Sequence, residues 1–206
     1  PRGILGKRDG LMLAVAGILA LAVAGWSLNP LTLALLPVAV LFLTLYPYTK
    51  RFTWLCHYWL GATTGAAAAG GWIAVTGSFS WAALCLMAGV GLWIAGFDII
   101  YGMLDRDFDL QYGVYSIPAA FGLHAAARIA ALTHLAAWVF LALAMPMSGS
   151  GWPYMLGLVA VGGVLVIEHL LVRSRNVADV LKSFNANLYI GLLMLVAIAL
   201  DVSLRA

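Results

Sequence analysis

Seven apolar runs, at residues 11–28, 31–46, 54–75, 81–101, 124–145, 152–172 and 184–203, leave this 206-residue chain few ways to fold. A helix that crosses the hydrocarbon core of a bilayer needs about 20 mostly apolar residues, and each run comes close to that length. Strands of a membrane barrel alternate polar and apolar positions, whereas these runs are unbroken. Charged residues make up 9% of the chain, against roughly 25% in a soluble domain, so no solvated surface can cover it. The expected fold is all-α, a polytopic transmembrane helix bundle. Residues 1–206 read as one integral-membrane domain in contact with membrane lipid, with no internal repeat or linker.

The breaks between runs carry helix-stopping residues: Asn29-Pro30, "YPYTKR", "TGSFS", an acidic stretch, "MPMSGSGWP" and "VRSRNVADVLKS". Proline lacks a backbone donor and glycine tolerates unusual dihedrals, so both suit such breaks. Cys56 and Cys85 stand in apolar surroundings without CxxC spacing, which indicates neither a disulfide framework nor a zinc site. The chain opens on Pro1, and "PRGILGKRDG" has no signal-peptide core. It is expected to be a piece of a longer protein.

Lys and Arg stay preferentially on the cytoplasmic side of a membrane. With the start of the first run inside, the inner segments hold Arg2, Lys7, Arg8, Lys50, Arg51, Arg106, Arg128, Arg173, Arg175 and Lys182, ten of the eleven basic residues. Only Arg205 falls outside. The formal charge of +3 is therefore a matter of topology, and no nucleic-acid partner is indicated.

That orientation puts "DIIYGMLDRDFD", Asp98–Asp109, at the cytoplasmic lip of an apolar run, with four of the chain's eight carboxylates in twelve residues. On a helix, Asp105 and Asp109 each fall within about 20° of Asp98, and Tyr101 lies beside them. Asp107 points the opposite way and reads as a solvated residue. Stacked carboxylates repel, and a hard divalent cation such as Mg²⁺, bound through carboxylates and substrate phosphates, offsets that repulsion. Asp98 lies deepest, where an ionisable group signals function. A simpler alternative stays open: the acids mark a polar boundary and pair with Arg106 and Arg128.

"YPYTKR" lies on the same side. Tyr46 and Lys50 are four apart and Arg51 follows. An aromatic and cationic membrane anchor is the common explanation; a clamp for a phosphate group is the functional one. His57, His124 and His134 read as structural residues. Glu168 and His169 are expected to pair with Arg173 or Arg175, and Asn185 and Asn187 to hydrogen-bond between helices. Asp201 is expected to meet water or Arg205. Trp26, Trp72, Trp81 and Trp152 fit an outer aromatic belt.

Three pieces, "LYPYTKRFTWLCH", "GGWIAVTGSFSW" and "GFDIIYGMLDRDFDLQYGVYSIPAAFG", resemble the UbiA-type polyprenyltransferase family in order, over most of Leu45–Gly122. The family's second Asp motif, DxxxD, falls on Asp105 and Asp109, its preceding Asp and Tyr on Asp98 and Tyr101, and its YxxxK motif on Tyr46 and Lys50. The resemblance implies nine transmembrane helices around a cavity, of which this chain supplies about seven. It implies Mg²⁺ held by Asp105, Asp109 and Asp98, with Tyr46, Lys50 and Arg51 on the diphosphate. Asp98, Tyr101, Asp105 and Asp109 are then the catalytic set. The reaction implied is transfer of a prenyl chain from a polyprenyl diphosphate to an aromatic acid such as 4-hydroxybenzoate, in quinone making. The enzyme would sit in the bacterial inner membrane with its site toward the cytoplasm. The first family motif, NDxxDxxxD, is not in these residues; two helices and that motif are expected to precede Pro1, and the chain by itself is expected to be inactive. "LQYGVYSIP", with Gln111 and Tyr115 at positions usually basic, and "SIPAAFG" resemble a menaquinone-linked branch. Either 4-hydroxybenzoate or a naphthoate-like acid is the acceptor.

The competing reading is a cation-coupled transporter or channel, whose acids belong near the membrane midplane. A headgroup transferase using CDP-alcohols would carry a DGxxAR run, which this sequence does not contain.

Overall fold

The computed structural model describes residues 6–174 and 176–205, so Arg2 and Arg175 of the basic pattern lie outside the described residues. Seven helices follow in order: α1 (Lys7–Leu28), α2 (Pro30–Thr49), α3 (Cys56–Thr76), α4 (Trp81–Tyr112), α5 (Ile117–Ser148), α6 (Trp152–Val172) and α7 (Val177–Ser203). Short connections reverse the chain, so successive helices lie against one another, and α4 also packs on α7. Among the described residues there is no strand.

The punctuation works by capping. Asn29 alone joins α1 to α2: its Oδ1 accepts the Thr32 N–H at 2.9 Å, and its Nδ2 donates to the Ile73 and Ala74 carbonyls at the far end of α3. Ser80, Ser116 and Asn176 likewise accept from the backbone of Ala83, Ala119 and Asp179, satisfying donors that the first helical turn leaves orphaned.

Six of the seven helices are long and apolar enough to cross a membrane by length and composition; α3 is the exception. Its run of Gly, Ala and Thr lowers hydropathy but permits close approach. A Cβ on Gly61 would stand 3.0 Å from Ala95 Cβ and closer still to the Gly91 carbonyl; one on Gly65 would meet the Met87 carbonyl and Gly91. Small residues let membrane helices pack backbone to backbone, and here they fix α3 on α4.

At 32 residues α4 is about 48 Å long, well beyond the roughly 30 Å hydrocarbon layer. The apolar run ends near residue 101, but the helix continues through the acids to Gly113, whose left-handed φ of 66° closes it. In α5, Gly122 breaks the helix at φ 78° and ψ 165°, a conformation closed to residues with a Cβ, and the apolar run begins just after it.

Two imidazoles are buried against bare backbone on α4. His134 lies over Gly96, where a Cβ would overlap its ring. His57 lies over Gly102, where a Cβ would stand 3.1 Å from its Cε1. The apolar core around them is built from Ile99, Ile100, Ile117, Ala126, Ala130, Val172 and Val180. Outward faces carry exposed Leu and Val, as a lipid-facing surface requires. Trp26, Trp81 and Trp152 are all strongly exposed at the helix ends opposite the acidic stretch, the geometry of an aromatic belt, whereas Trp72 is half-buried and does not share it.

Candidate active site

Because α4 stays helical to Tyr112, Asp98, Asp105 and Asp109 share one stripe as their spacing requires. Asp107 is 93% exposed and its Oδ1 accepts from Arg106 at 3.0 Å, so it belongs to the solvated face.

Each acid of the stripe meets a different environment. Asp109 is buried at 2% exposure. Its Oδ2 has no hydrogen-bond partner among the described residues, and the nearest cation is Lys50 Nζ at 3.9 Å. Lys50 reaches it because the segment after α2 is pinned to the α4–α5 turn: the Tyr115 N–H donates to the Lys50 carbonyl at 2.8 Å. Cys56 Sγ, 3.5 Å from the Tyr115 carbonyl, adds a second tie. Asp109 also lines a cavity of about 300 Å³ with Gly113, Tyr115 and Ser116; Tyr46, Lys50, Arg51, Asp98, Tyr101 and Asp105 do not line it. Asp105 is half-buried one turn inward.

Asp98 stands two turns deeper than Asp105, about 10.5 Å along the axis. Its Oδ2 accepts from His57 Nδ1 at 2.7 Å. Tyr101 is 41% exposed and its ring lies 5.0 Å from that of Phe184 on α7; Phe97 is 4.9 Å from the same ring. The neighbours of Asp98 on α4 thus form a three-ring aromatic cluster with α7. Of the cationic loop, Tyr46 is exposed, and the Arg51 guanidinium lies over the Tyr48 ring at 5.3 Å.

Among the described residues no three His, Cys, Asp or Glu side chains form a group that could hold a metal ion. The stripe does not converge on one enclosed hollow. It does present a buried carboxylate oxygen without a donor at Asp109, with a second acid a turn away. That donor set fits Mg²⁺, which takes one or two protein carboxylates and completes its shell from phosphate and water.

His57 was read from the sequence as structural, and it is indeed wholly buried. Its neighbours give it a further meaning, since it joins α3, the acid of α4 and the start of α5. Glu168 also departs from expectation. It is buried at 0% exposure and accepts from Asn187 Nδ2 at 2.8 Å, while Asn187 Oδ1 accepts from Trp93 Nε1 at 2.7 Å. His134 bonds to His169 at 3.0 Å and to the Trp93 carbonyl at 3.1 Å. Arg173, five residues on, is turned about 140° from Glu168 and does not pair with it; Arg175 lies outside the described residues.

Comparison with known proteins agrees with this architecture. The UbiA prenyltransferase family matches residues 1–195. A 4-hydroxybenzoate octaprenyltransferase of Alkalilimnicola ehrlichii is 34% identical over 98% of this chain, which spans 69% of that protein. One of Shewanella halifaxensis is 31% identical over 97% of this chain and 69% of its own length. Among solved structures, a UbiA homolog from Aeropyrum pernix K1 superposes with a TM-score of 0.88 at 29% identity, over 97% of this chain and 74% of that one. A digeranylgeranylglyceryl phosphate synthase shares the fold at TM-score 0.78 and 19% identity, over 98% of this chain and 72% of that one.

Proposed function

This chain belongs to the UbiA prenyltransferase family, and on that premise we propose that it transfers the chain of an allylic polyprenyl diphosphate to an aromatic acid in quinone biosynthesis. 4-Hydroxybenzoate is the acceptor named for the relatives and the first candidate here; a naphthoate-like acid is the second, on the strength of Gln111 and Tyr115. The site faces the cytoplasm of a bacterial inner membrane, the side on which Lys and Arg gather.

The observation that carries the reading is the meeting of Lys50 with Asp109. A cation from the loop after α2 stands 3.9 Å from a buried carboxylate oxygen that has no hydrogen-bond donor. A diphosphate with its counter-ion completes both partners. Lys50 binds the leaving group as a point charge, with Tyr46 and Arg51 behind it. Asp105 and Asp109 would hold Mg²⁺, which when bound neutralises charge on the departing diphosphate. We assign the Tyr101, Phe97 and Phe184 rings to the allylic chain, since aromatic faces favour a cationic allyl and exclude water. Asp98 stands about three turns below Asp109, and we assign it to the acceptor rather than to the ion. The chain also contains only the second of the family's two Asp motifs, so its other metal ligands are assigned to the remainder of the natural protein.

The test uses the full natural protein that contains these residues, in membrane vesicles with a labelled allylic diphosphate, Mg²⁺ and a panel of acceptors. Labelled prenyl-arene from 4-hydroxybenzoate or a hydroxynaphthoate is expected. Vesicles that leave both acids unprenylated while turning over a glycerol-phosphate acceptor would refute the reading.

A further inference from the structure

We infer that His57 is a positioning residue for Asp98, and that Asp98 takes the proton that the acceptor ring gives up on prenylation; the inference rests on the prenyl-transfer reading above. The hydrogen bonds fix the imidazole's state. The Ile117 N–H donates to His57 Nε2 at 3.2 Å, so that nitrogen offers a lone pair and the ring proton sits on Nδ1. Nδ1 then donates to Asp98 Oδ2 at 2.7 Å. The imidazole is wholly buried and cannot itself reach substrate. The Asp98 side chain keeps 26% exposure, and its Oδ1 takes no donor from the described residues. One oxygen is held from behind, and the neighbours of Asp98 on α4, Phe97 and Tyr101, both set their rings against Phe184 of α7.

Three helices cooperate in this. The start of α3 supplies the ring, α4 supplies both the carboxylate and the bare surface of Gly102 on which the ring lies, and α5 supplies the backbone donor that sets the tautomer. A buried side chain that uses both ring nitrogens is rigid, and it transmits that rigidity to the carboxylate it touches.

The step balances without an oxidant or a further reactant. A π pair of the acceptor ring forms the new carbon–carbon bond to C1 of the allyl group. The C1–O bond breaks with its pair to the diphosphate. The C–H pair at the attacked carbon returns to the ring, and its proton goes to Asp98 Oδ1. His57 Nδ1–H keeps its bond to Oδ2 throughout.

The experiment compares His57→Leu, His57→Gln, Gly102→Ala and Asp98→Asn in the full natural protein, with 4-hydroxybenzoate carrying hydrogen or deuterium at the attacked position. Gln presents one donor and one acceptor at a separation like that of the ring nitrogens. Gly102→Ala leaves the imidazole in the chain but crowds it with a Cβ 3.1 Å from Cε1. Asp98→Asn is expected to lower kcat by about 100-fold or more and His57→Leu by about 10-fold or more, with KM for the diphosphate unchanged. Gly102→Ala should fall between wild type and His57→Leu, and His57→Gln should recover most of the rate. Adding His57→Leu to Asp98→Asn should lower kcat no further, because the two act as one unit. The deuterium effect on kcat should rise in His57→Leu, which lost packing alone would not produce. If the leucine variant does not fold, the glycine and glutamine variants carry the same comparison. Full kcat in Gly102→Ala or His57→Leu, or multiplicative losses in the double variant, overturn the inference alone. A wild-type protein that prenylates no aromatic acid overturns the underlying reading and this inference with it.

Discussion

Asn187 Nδ2 donates to Glu168 Oε1 over 2.8 Å, joining α7 to α6 through a carboxylate that no solvent reaches. The same amide's oxygen accepts from Trp93 Nε1 on α4, so one side chain holds three helices together. Asn187→Leu removes both bonds and leaves the indole and the carboxylate buried without this partner. A lost partner of this kind costs about 1–3 kcal/mol. Thermal unfolding in detergent is expected to show a clear fall in Tm, and Glu168→Gln, which keeps an acceptor oxygen for Asn187, a smaller one. An unchanged Tm in Asn187→Leu would mean the cluster contributes nothing net.

The α3–α4 contact makes a contrasting prediction among residues of one type. Gly61 has backbone of Gly91 where a Cβ would go, whereas Gly70 and Gly71 on the same helix have nothing within 4 Å. Gly61→Ala must push two backbones apart, and overpacking of that kind costs about 1–3 kcal/mol. Gly70→Ala and Gly71→Ala should stay within about 0.5 kcal/mol of wild type. The three Tm values, measured side by side, check this; equal values would show that α3 does not lie on α4 by its glycines.

The contrast also marks what a single chain discloses before folding. All seven apolar runs are helices, because hydrocarbon-length stretches have no other way to satisfy their backbone in lipid. Their ends are less legible, since hydropathy reports where the bilayer stops and not where the helix does. Thus α4 continues past its apolar run to Tyr112, and Ile117 begins a helical segment that Gly122 interrupts before the apolar part of α5. The phasing of Asp98, Asp105 and Asp109 follows from 3.6 residues per turn. The partners do not. Nothing local in sequence says that His57, 41 positions from Asp98, will lie against it; a bare Gly102 on the same helix was the available hint. Nearness in sequence pairs Glu168 with Arg173 or Arg175, but its phase on α6 turns it toward α7 and Asn187.

The acids of the stripe should separate by function. Asp105→Ala and Asp109→Ala remove the carboxylates assigned to the ion and are expected to lower kcat by about 100-fold or more. Asp107, 93% exposed, should tolerate alanine within about twofold. Steady-state rates with Mg²⁺ held in excess make the comparison. A loss at Asp107 equal to that at Asp109 would place the chemistry on the wrong face of α4.

Lys50 offers the last separation, between holding the fold and holding the substrate. Its side chain is 37% exposed and its ammonium stands 3.9 Å from Asp109, too far for a hydrogen bond, so the pair adds little to stability. What keeps the residue in place is its own carbonyl, bonded to the Tyr115 N–H, and that bond survives replacement of the side chain. Lys50→Ala should therefore leave Tm nearly unchanged while raising KM for the allylic diphosphate by about 10-fold, one charge–phosphate contact being worth about that much. KM for the aromatic acid should not move, because the acceptor is assigned to Asp98, about three turns deeper than Asp109. The effect should shrink as salt is raised, since the lost contact is a charge at a wet surface. Arginine at this position restores the charge but not the compact ammonium, so partial recovery is expected. A Lys50→Ala protein whose diphosphate KM equals wild type, with Tm also unchanged, would remove the loop from the binding site.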